Sequence, residues 1–206
     1  MKQFETPQEQ FWAGNFGTEY ISRNESPELL ASNLNFFSKT LEHAGQITSC
    51  IEFGANIGMN LKAIKLLYPK VKLSAIEINN VAAKALASMI GTQNVFEGSI
   101  FDFQADEQSE LVLIKGVLIH INPEKLGIVY EKLYNSSSKY ILVCEYYNPS
   151  PVTITYRGHN DRLFKRDFAG ELLDKYLDLK LIDYGFSYRR DTAFPQDDIT
   201  WFLLKK

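Results

Sequence analysis

The stretch Ile47-Thr48-Ser49-Cys50-Ile51-Glu52-Phe53-Gly54-Ala55-Asn56-Ile57-Gly58 decides how this chain folds. Its first seven residues are a short, β-rich, largely apolar run, as expected for a strand covered on both faces. The next five break that pattern. Gly54 and Gly58 permit positive φ, and Asn56 is the non-glycine residue best able to follow them there. From Gly58 to Leu67 the pattern is helical, and it stops at Tyr68-Pro69 because proline cannot continue the backbone ladder. The loop therefore feeds a helix N-terminus whose free N–H groups favour polar or anionic atoms. A plain tight strand–helix turn would read the same way, so the surrounding pattern decides.

Working outward, strand and helix signals alternate. Val71–Ile78 reads as a second strand and Ala82–Ile90 as a helix closed by Gly91. Asn94–Ser99, Glu110–Val117 and Lys139–Tyr147 read as further strands, with a helix over Pro123–Ser137. Asn148–Gly158 is read as irregular, followed by a helix near Asp167–Tyr176. Leu179–Arg190 and Ile199–Lys205 are long β-patterned runs joined by a turn-rich loop, which suggests a hairpin. Upstream, Thr6–Asn24 is helix-permissive, and Ser26-Pro27-Glu28 opens a second helix that ends before Gly45. The expectation is α/β: a doubly wound, Rossmann-like sheet of about seven strands, mostly parallel, with an antiparallel C-terminal hairpin strand and N-terminal helices.

Composition bounds the function. The chain has 206 residues, enough for one ordinary domain, and 45% of them are hydrophobic. Fourteen Phe, eleven Tyr and two Trp are too many for a disordered chain. A net charge of −3 argues against a nucleic-acid partner. No apolar run reaches membrane-spanning length, and the polar start Met1-Lys2-Gln3-Phe4-Glu5 is no signal peptide, so a soluble cytoplasmic protein is expected. Cys50 and Cys144 lie in apolar runs far apart and read as buried free thiols. His43, His120 and His159 fall at no metal-ligand spacing, and the sequence sets no oligomeric state.

In a doubly wound sheet, ligands bind beyond the carboxyl ends of the strands where strand order reverses. Glu77 ends the second strand roughly 20 residues after Gly58, where an acid can accept both ribose hydroxyls of a nucleoside. The glycine spacing then separates two cofactor classes. Dinucleotide sites want Gly-x-Gly-x-x-Gly, whereas Glu52 to Gly58 reads acid-x-Gly-x-Asn-x-Gly. This resembles the first motif of class I S-adenosylmethionine-dependent methyltransferases. Gly98-Ser99-Ile100-Phe101-Asp102 is similar to the third-strand end of that superfamily, and Ile114-Lys115-Gly116-Val117-Leu118-Ile119-His120-Ile121-Asn122-Pro123 to its fourth-strand motif. The terminal Leu179–Lys205 pair resembles its reversed seventh strand.

The two flanks narrow the likeness. Glu9-Gln10-Phe11-Trp12-Ala13-Gly14-Asn15-Phe16-Gly17-Thr18-Glu19-Tyr20-Ile21-Ser22-Arg23-Asn24 and the segment Tyr156–Gly170 resemble the pseudaminic acid biosynthesis-associated methylases, bacterial proteins linked to nonulosonic acids of surface glycans. This resemblance spans the chain. It implies one class I methyltransferase domain over 1–206, with an N-terminal helical lid (1–45) and an acceptor-side insertion (148–170). The implied cofactor is S-adenosylmethionine, and the implied acceptor is a small acidic sugar or its nucleotide-activated form.

On that likeness Gly54, Ala55, Asn56 and Gly58 shape the cofactor loop, Glu77 and Ile78 meet the ribose and adenine, and Ser99 and Ile100 flank the adenine. Lys115 offers its backbone carbonyl to the cofactor amine, or is simply a solvated strand end. On the lid, Arg23 pairs with the methionine carboxylate, while Trp12 and Tyr20 close over the site or serve as ordinary core. His120 is either the base that takes a proton from the acceptor or a residue fixing the following turn. Arg157, His159, Arg162 and Lys165 form a basic stretch in an acidic chain, suited to a carboxylate or phosphate; the alternative is a solvated basic helix start. No metal is signalled. Two other readings compete: a nicotinamide-dependent sugar reductase, against which the glycine spacing argues, and a non-catalytic cofactor-binding pathway protein.

Overall fold

The computed structural model describes residues 4–206; Met1–Gln3, where a signal peptide would begin, lie outside the described residues. The first helix, α1 (Pro7–Ala13), starts on a reciprocal cap. The Thr6 hydroxyl accepts from the Glu9 N–H at 3.2 Å, and the Glu9 carboxylate accepts from the Thr6 N–H at 2.8 Å. The single helix expected over Thr6–Asn24 is broken. Gly14 is extended, and α2 (Asn15–Tyr20) and a 3₁₀ turn over Ile21–Asn24 follow. Close packing requires the break: a Cβ on Gly17 would lie 1.9 Å from the Trp12 carbonyl oxygen, so α2 folds back where no side chain fits. Next comes α3 (Pro27–Thr40), capped by Ser26, whose Oγ accepts from the Leu29 N–H at 3.1 Å.

The alternation read from the sequence then unfolds as β1 (Ser49–Phe53), α4 (Met59–Leu67), β2 (Lys72–Glu77), α5 (Asn80–Ile90), β3 (Val95–Glu97), β4 (Ser109–Lys115), α6 (Leu126–Ser136) and β5 (Ser137–Glu145). After these come β6 (Val152–Tyr156), β7 (His159–Lys165), α7 (Phe168–Lys175), β8 (Lys180–Ser187) and β9 (Ile199–Lys205). Seven strands share one sheet in the order β3-β2-β1-β4-β5-β9-β8. The first five pair in parallel, and β9 runs antiparallel to both β5 and β8. This is the doubly wound sheet with one reversed strand. Its order turns between β1 and β4, so the ends of those strands, at Phe53 and Lys115, border the ligand crevice.

Alternate residues of the central strands bury on opposite faces, which is why the runs read as unbroken apolar sequence. Cys50, Leu111, Leu113 and Leu142 pack with Phe37, Leu61 and Ile64 of α3 and α4. Ile51, Val112, Ile114 and Ile141 pack with Leu133, Phe168 and Leu172 of α6 and α7. Cys50 and Cys144 are free and buried, and burial pushes both thiols well up. Among the described residues, no helix is long and apolar enough to cross a membrane.

The sequence reading fails over Asn148–Asp167. Instead of an irregular stretch and a basic helix start, β6 and β7 form a separate two-stranded hairpin. Tyr156 pairs with His159 across a two-residue turn, with Arg157 at φ 53° and Gly158 at φ 82°. Positive φ at both central positions is the turn geometry that matches strand twist. The hairpin packs on the N-terminal helices. Gln8 Nε2 donates to the Asp161 carbonyl at 2.8 Å, and the Phe11 and His159 rings meet edge-on at 5.5 Å.

Candidate functional site

The loop after β1 is built from left-handed backbone at alternate positions: Gly54 (φ 75°), Asn56 (φ 51°) and Gly58 (φ 85°). Its first two N–H groups, of Gly54 and Ala55, donate to the Ile76 carbonyl at 2.9 and 3.1 Å, which anchors the loop on β2. Side chains are excluded at both glycines. A Cβ on Gly54 would come within 2.6 Å of Val117 Cγ2, and one on Gly58 within 2.4 Å of the Met89 methyl. Asn56 holds its strained conformation through its own side chain, Oδ1 accepting from the Ile57 N–H at 2.7 Å.

Glu77 closes this loop from the end of β2. It is buried, and each carboxylate oxygen accepts one backbone N–H at 2.7 Å: Oε2 from Asn56 and Oε1 from Asn79. Burial pushes the carboxyl up, and the N–H bonds from Asn79, Asn56 and Ile78 pull it back. With three N–H groups on two oxygens, the carboxylate still keeps acceptor capacity for a ligand hydroxyl. Ser99 is buried and turns the chain after β3, its Oγ accepting from the Phe101 N–H at 3.1 Å.

Beside Lys115, the β4 side carries two acids, Glu52 and Glu145, to which the sequence reading gave no role. Lys115 lies over the Phe36 ring at 5.7 Å, on the sheet face that holds Glu52. Glu52 is fully buried, with Oε1 accepting from Asn60 Nδ2 at 2.6 Å and Oε2 left without a partner. Burial pushes its carboxyl up to about 8, with Asn60 and Lys115 pulling the other way. Glu145, at the end of β5, accepts from the N–H groups of Val117 and Leu118 at 2.9 Å and of Ile119 at 3.4 Å. It thereby holds the loop that follows β4, and burial pushes its carboxyl up to about 7. The one available signal was an acid ending an otherwise apolar strand.

That loop delivers His120. Its ring is 9% exposed and lies 4.7 Å from Trp12 and 5.3 Å from Tyr156, centroid to centroid. Nδ1 sits 2.6 Å from the Arg162 carbonyl oxygen. A carbonyl only accepts, so Nδ1 carries the proton and Nε2 is the basic nitrogen. Burial holds the imidazole down at about 4, so it is neutral near pH 7.

A cavity of about 420 Å³ unites these parts, within the range of small-molecule sites. Gly54, Ala55, Asn56, Glu77, Ile78, Ser99, Ile100 and Lys115 line it, as do Trp12, Tyr20 and His120. Gly58 lies behind the lining and shapes the loop. The remaining expected residues lie elsewhere. Arg23 is exposed beside the Tyr20 ring, at 5.8 Å. Arg157 sits at the exposed hairpin turn against Tyr156, and His159 is exposed beside Phe11. The Arg162 guanidinium pairs with Asp161 at 2.5 Å and rests 5.7 Å from the Phe11 ring centroid, while Lys165 lies over Tyr146 at 5.1 Å. None of these five borders the cavity. Cavity-lining residues absent from the expected set include Gln8, Asn33, Tyr146, Tyr156 and Gln196, the last donating to Asn33 Oδ1 at 3.0 Å. Among the described residues, no cluster of three or more His, Cys, Asp or Glu could hold a metal ion.

No family model matches the chain, and no curated protein matches it. Solved structures do. A Burkholderia thailandensis 1,6-didemethyltoxoflavin N1-methyltransferase, with its acceptor and S-adenosylhomocysteine bound, superimposes with a TM-score of 0.73 at 15% identity, over 100% of this chain and 92% of that one. A magnesium protoporphyrin IX methyltransferase from Synechocystis PCC 6803 with bound S-adenosylhomocysteine gives 0.69 at 9% identity, over 96% and 97%. A plantazolicin methyltransferase in complex with S-adenosylhomocysteine gives 0.64 at 16% identity, over 97% and 93%. The narrower likeness to the pseudaminic acid-associated methylases stays with the sequence, whereas strand order, reversed strand and loop together give this chain the fold of class I S-adenosylmethionine-dependent methyltransferases.

Proposed function

We propose that the protein transfers a methyl group from S-adenosylmethionine to a small molecule. The observation that carries this reading is the left-handed loop Gly54–Gly58 closed by buried Glu77, at the point where strand order turns. The residues present fit the cofactor. The buried Glu77 carboxylate keeps acceptor capacity for a ligand hydroxyl, and Gly54 and Asn56 give the loop the left-handed turns that carry it around the cavity. Ile78, Ser99 and Ile100 supply a largely apolar wall for a base, and Gly116 and Lys115 border the opposite end. Bound there, the cofactor supplies an electrophilic sulfonium methyl. The chain's own task is to align the acceptor, exclude water and receive its proton. His120 suits the last role, since it is neutral and its Nε2 is the basic nitrogen. The N-terminal helices, whose Trp12 and Tyr20 line the cavity, act as a lid.

The neighbours' printed acceptors, a toxoflavin precursor and a porphyrin among them, support a small-molecule acceptor class. The acidic nonulosonic sugar implied by the sequence likeness requires a cation at the acceptor. Arg157, Arg162 and Lys165 leave that requirement unmet within the cavity, and the cationic lining is Lys115 and Arg189. The test is calorimetry with S-adenosylhomocysteine and with NAD and NADP, followed by methyl transfer from labelled S-adenosylmethionine to a panel of acceptors. Tight nicotinamide binding with no S-adenosylhomocysteine binding would sink the reading.

A further inference from the structure

Resting on the methyltransferase reading, we infer that the acceptor is a planar, uncharged ring carrying an N–H and a carbonyl on one edge, seated beneath α1 and read by Gln8 and Trp12.

The inner wall of the cavity on this side is a box of π faces. Trp12 meets Tyr20 edge-on at 5.3 Å (88°) and tilts over His120 at 4.7 Å, while His120 lies 5.3 Å from Tyr156. Such a box takes a flat ring through stacked and edge-to-face contacts. Its polar groups are few and specific. Gln8 is 6% exposed, and because its Nε2 donates to the Asp161 carbonyl, its Oε1 faces the other way. Gln8 Oε1 and Trp12 Nε1 are both buried without a hydrogen-bond partner, and both residues line the cavity. They stand four apart on α1, one turn along the same face. One face therefore carries an unpaired acceptor and an unpaired donor one turn apart, complementary to a ring edge that bears both N–H and C=O.

A buried polar group left unpaired is destabilising, and two adjacent ones on one helix face require an explanation. Charge points the same way. Glu9, beside them in the lining, spends Oε2 on Thr6, and the hairpin cations are paired or stacked outside the cavity. An anionic acceptor at this wall would meet the Glu9 carboxylate and a neutral imidazole, the cavity's cations, Lys115 and Arg189, standing on other elements.

The test uses the protein saturated with S-adenosylhomocysteine and two probes: lumazine, a flat fused ring with N–H beside carbonyl, and N-acetylneuraminic acid, an acidic sugar. Binding is read by calorimetry and tryptophan fluorescence. Lumazine should bind and quench, and the acidic sugar should not bind. Trp12→Phe, which keeps a ring but removes the N–H, and Gln8→Met, which keeps the length but removes the acceptor, should each weaken lumazine about tenfold. Gln8→Met should leave S-adenosylhomocysteine affinity unchanged. S-adenosylhomocysteine binding without lumazine binding overturns this inference alone, as does lumazine binding indifferent to both substitutions. Preferred binding of the acidic sugar does the same. Failure of S-adenosylhomocysteine itself to bind overturns the methyltransferase reading, and this inference with it.

Discussion

The Asn79 backbone N–H donates to Glu77 Oε1 at 2.7 Å, while the same residue's side chain grips the N-terminal helices. Its Nδ2 donates to Thr18 Oγ1 at 3.1 Å and to the Gly14 and Trp12 carbonyls at 3.3 and 3.4 Å, and its Oδ1 caps α5. One buried asparagine thus joins the proposed ribose site to the proposed lid. Asn79→Asp keeps the capping oxygen and removes the donor, placing a carboxylate against two carbonyl oxygens. We expect stability to fall by about 1–2 kcal/mol, and residues 6–24 to become the preferred site of limited proteolysis. Unchanged cleavage in that segment would show that Asn79 does not hold the lid.

Glu77 should matter to cofactor affinity more than any other single side chain. Glu77→Ala removes the acceptor for ribose hydroxyls and releases the Asn56 N–H, so S-adenosylhomocysteine should bind roughly 5- to 150-fold more weakly (about 1–3 kcal/mol). Glu77→Gln keeps one carbonyl oxygen and should fall between. Calorimetry decides it, and equal affinities across the three proteins would remove Glu77 from the site.

Much of this was legible because local rules and tertiary structure agree. Ile47–Phe53 is apolar on both faces because β1 is central, and Gly54, Asn56 and Gly58 are the residues that left-handed backbone selects. The hairpin was missed because β6 and β7 belong to no buried sheet. Val152, Thr153, Ile154 and Thr155 are all exposed, so no face repeats, and an arginine at φ 53° is an unusual first residue for its turn. Gln8, Tyr156 and Glu145 were missed for a different reason. Their roles come from contacts between segments distant in sequence, Gln8 with Asp161 and Glu145 with Val117, which no local pattern encodes.

Stability should decline as pH rises through neutrality to about 8. Burial raises Glu52 to about 8 and Glu145 to about 7, above their unfolded values. A carboxyl raised in this way stabilises fully below its unfolded pKa, and that contribution is lost as pH climbs through the folded one. His120 is shifted the opposite way, to about 4, and loses its contribution only as pH falls below about 6.5. The window from pH 6.5 to 8 therefore isolates the glutamates. Melting temperature should drop across it, and Glu52→Gln, which keeps an oxygen for Asn60, should flatten the slope. A Glu52→Gln profile parallel to the wild type would show that Glu52 does not titrate there.

His120 joins two roles that a single substitution can separate. Its Nδ1–H donates to the Arg162 carbonyl 2.6 Å away, tying the loop after β4 to the hairpin, and this bond leaves Nε2 as the basic nitrogen. Packing against Trp12 and Tyr156 keeps the ring dry, and the neutral form prevails at physiological pH. His120→Ala removes both functions. Turnover should drop on the order of 10²–10⁴-fold if the ring takes the acceptor's proton, and melting temperature should fall with the lost tie. His120→Asn separates them, since its amide N–H can replace Nδ1–H toward the carbonyl while supplying no base. A base predicts that asparagine restores the melting temperature but not kcat, with S-adenosylhomocysteine affinity close to wild type in both variants. In the wild type, kcat should hold level through neutrality and decline only as pH approaches about 4, where the imidazole gains its proton. If asparagine restores kcat together with stability, His120 fixes the loop and the proton leaves by another route.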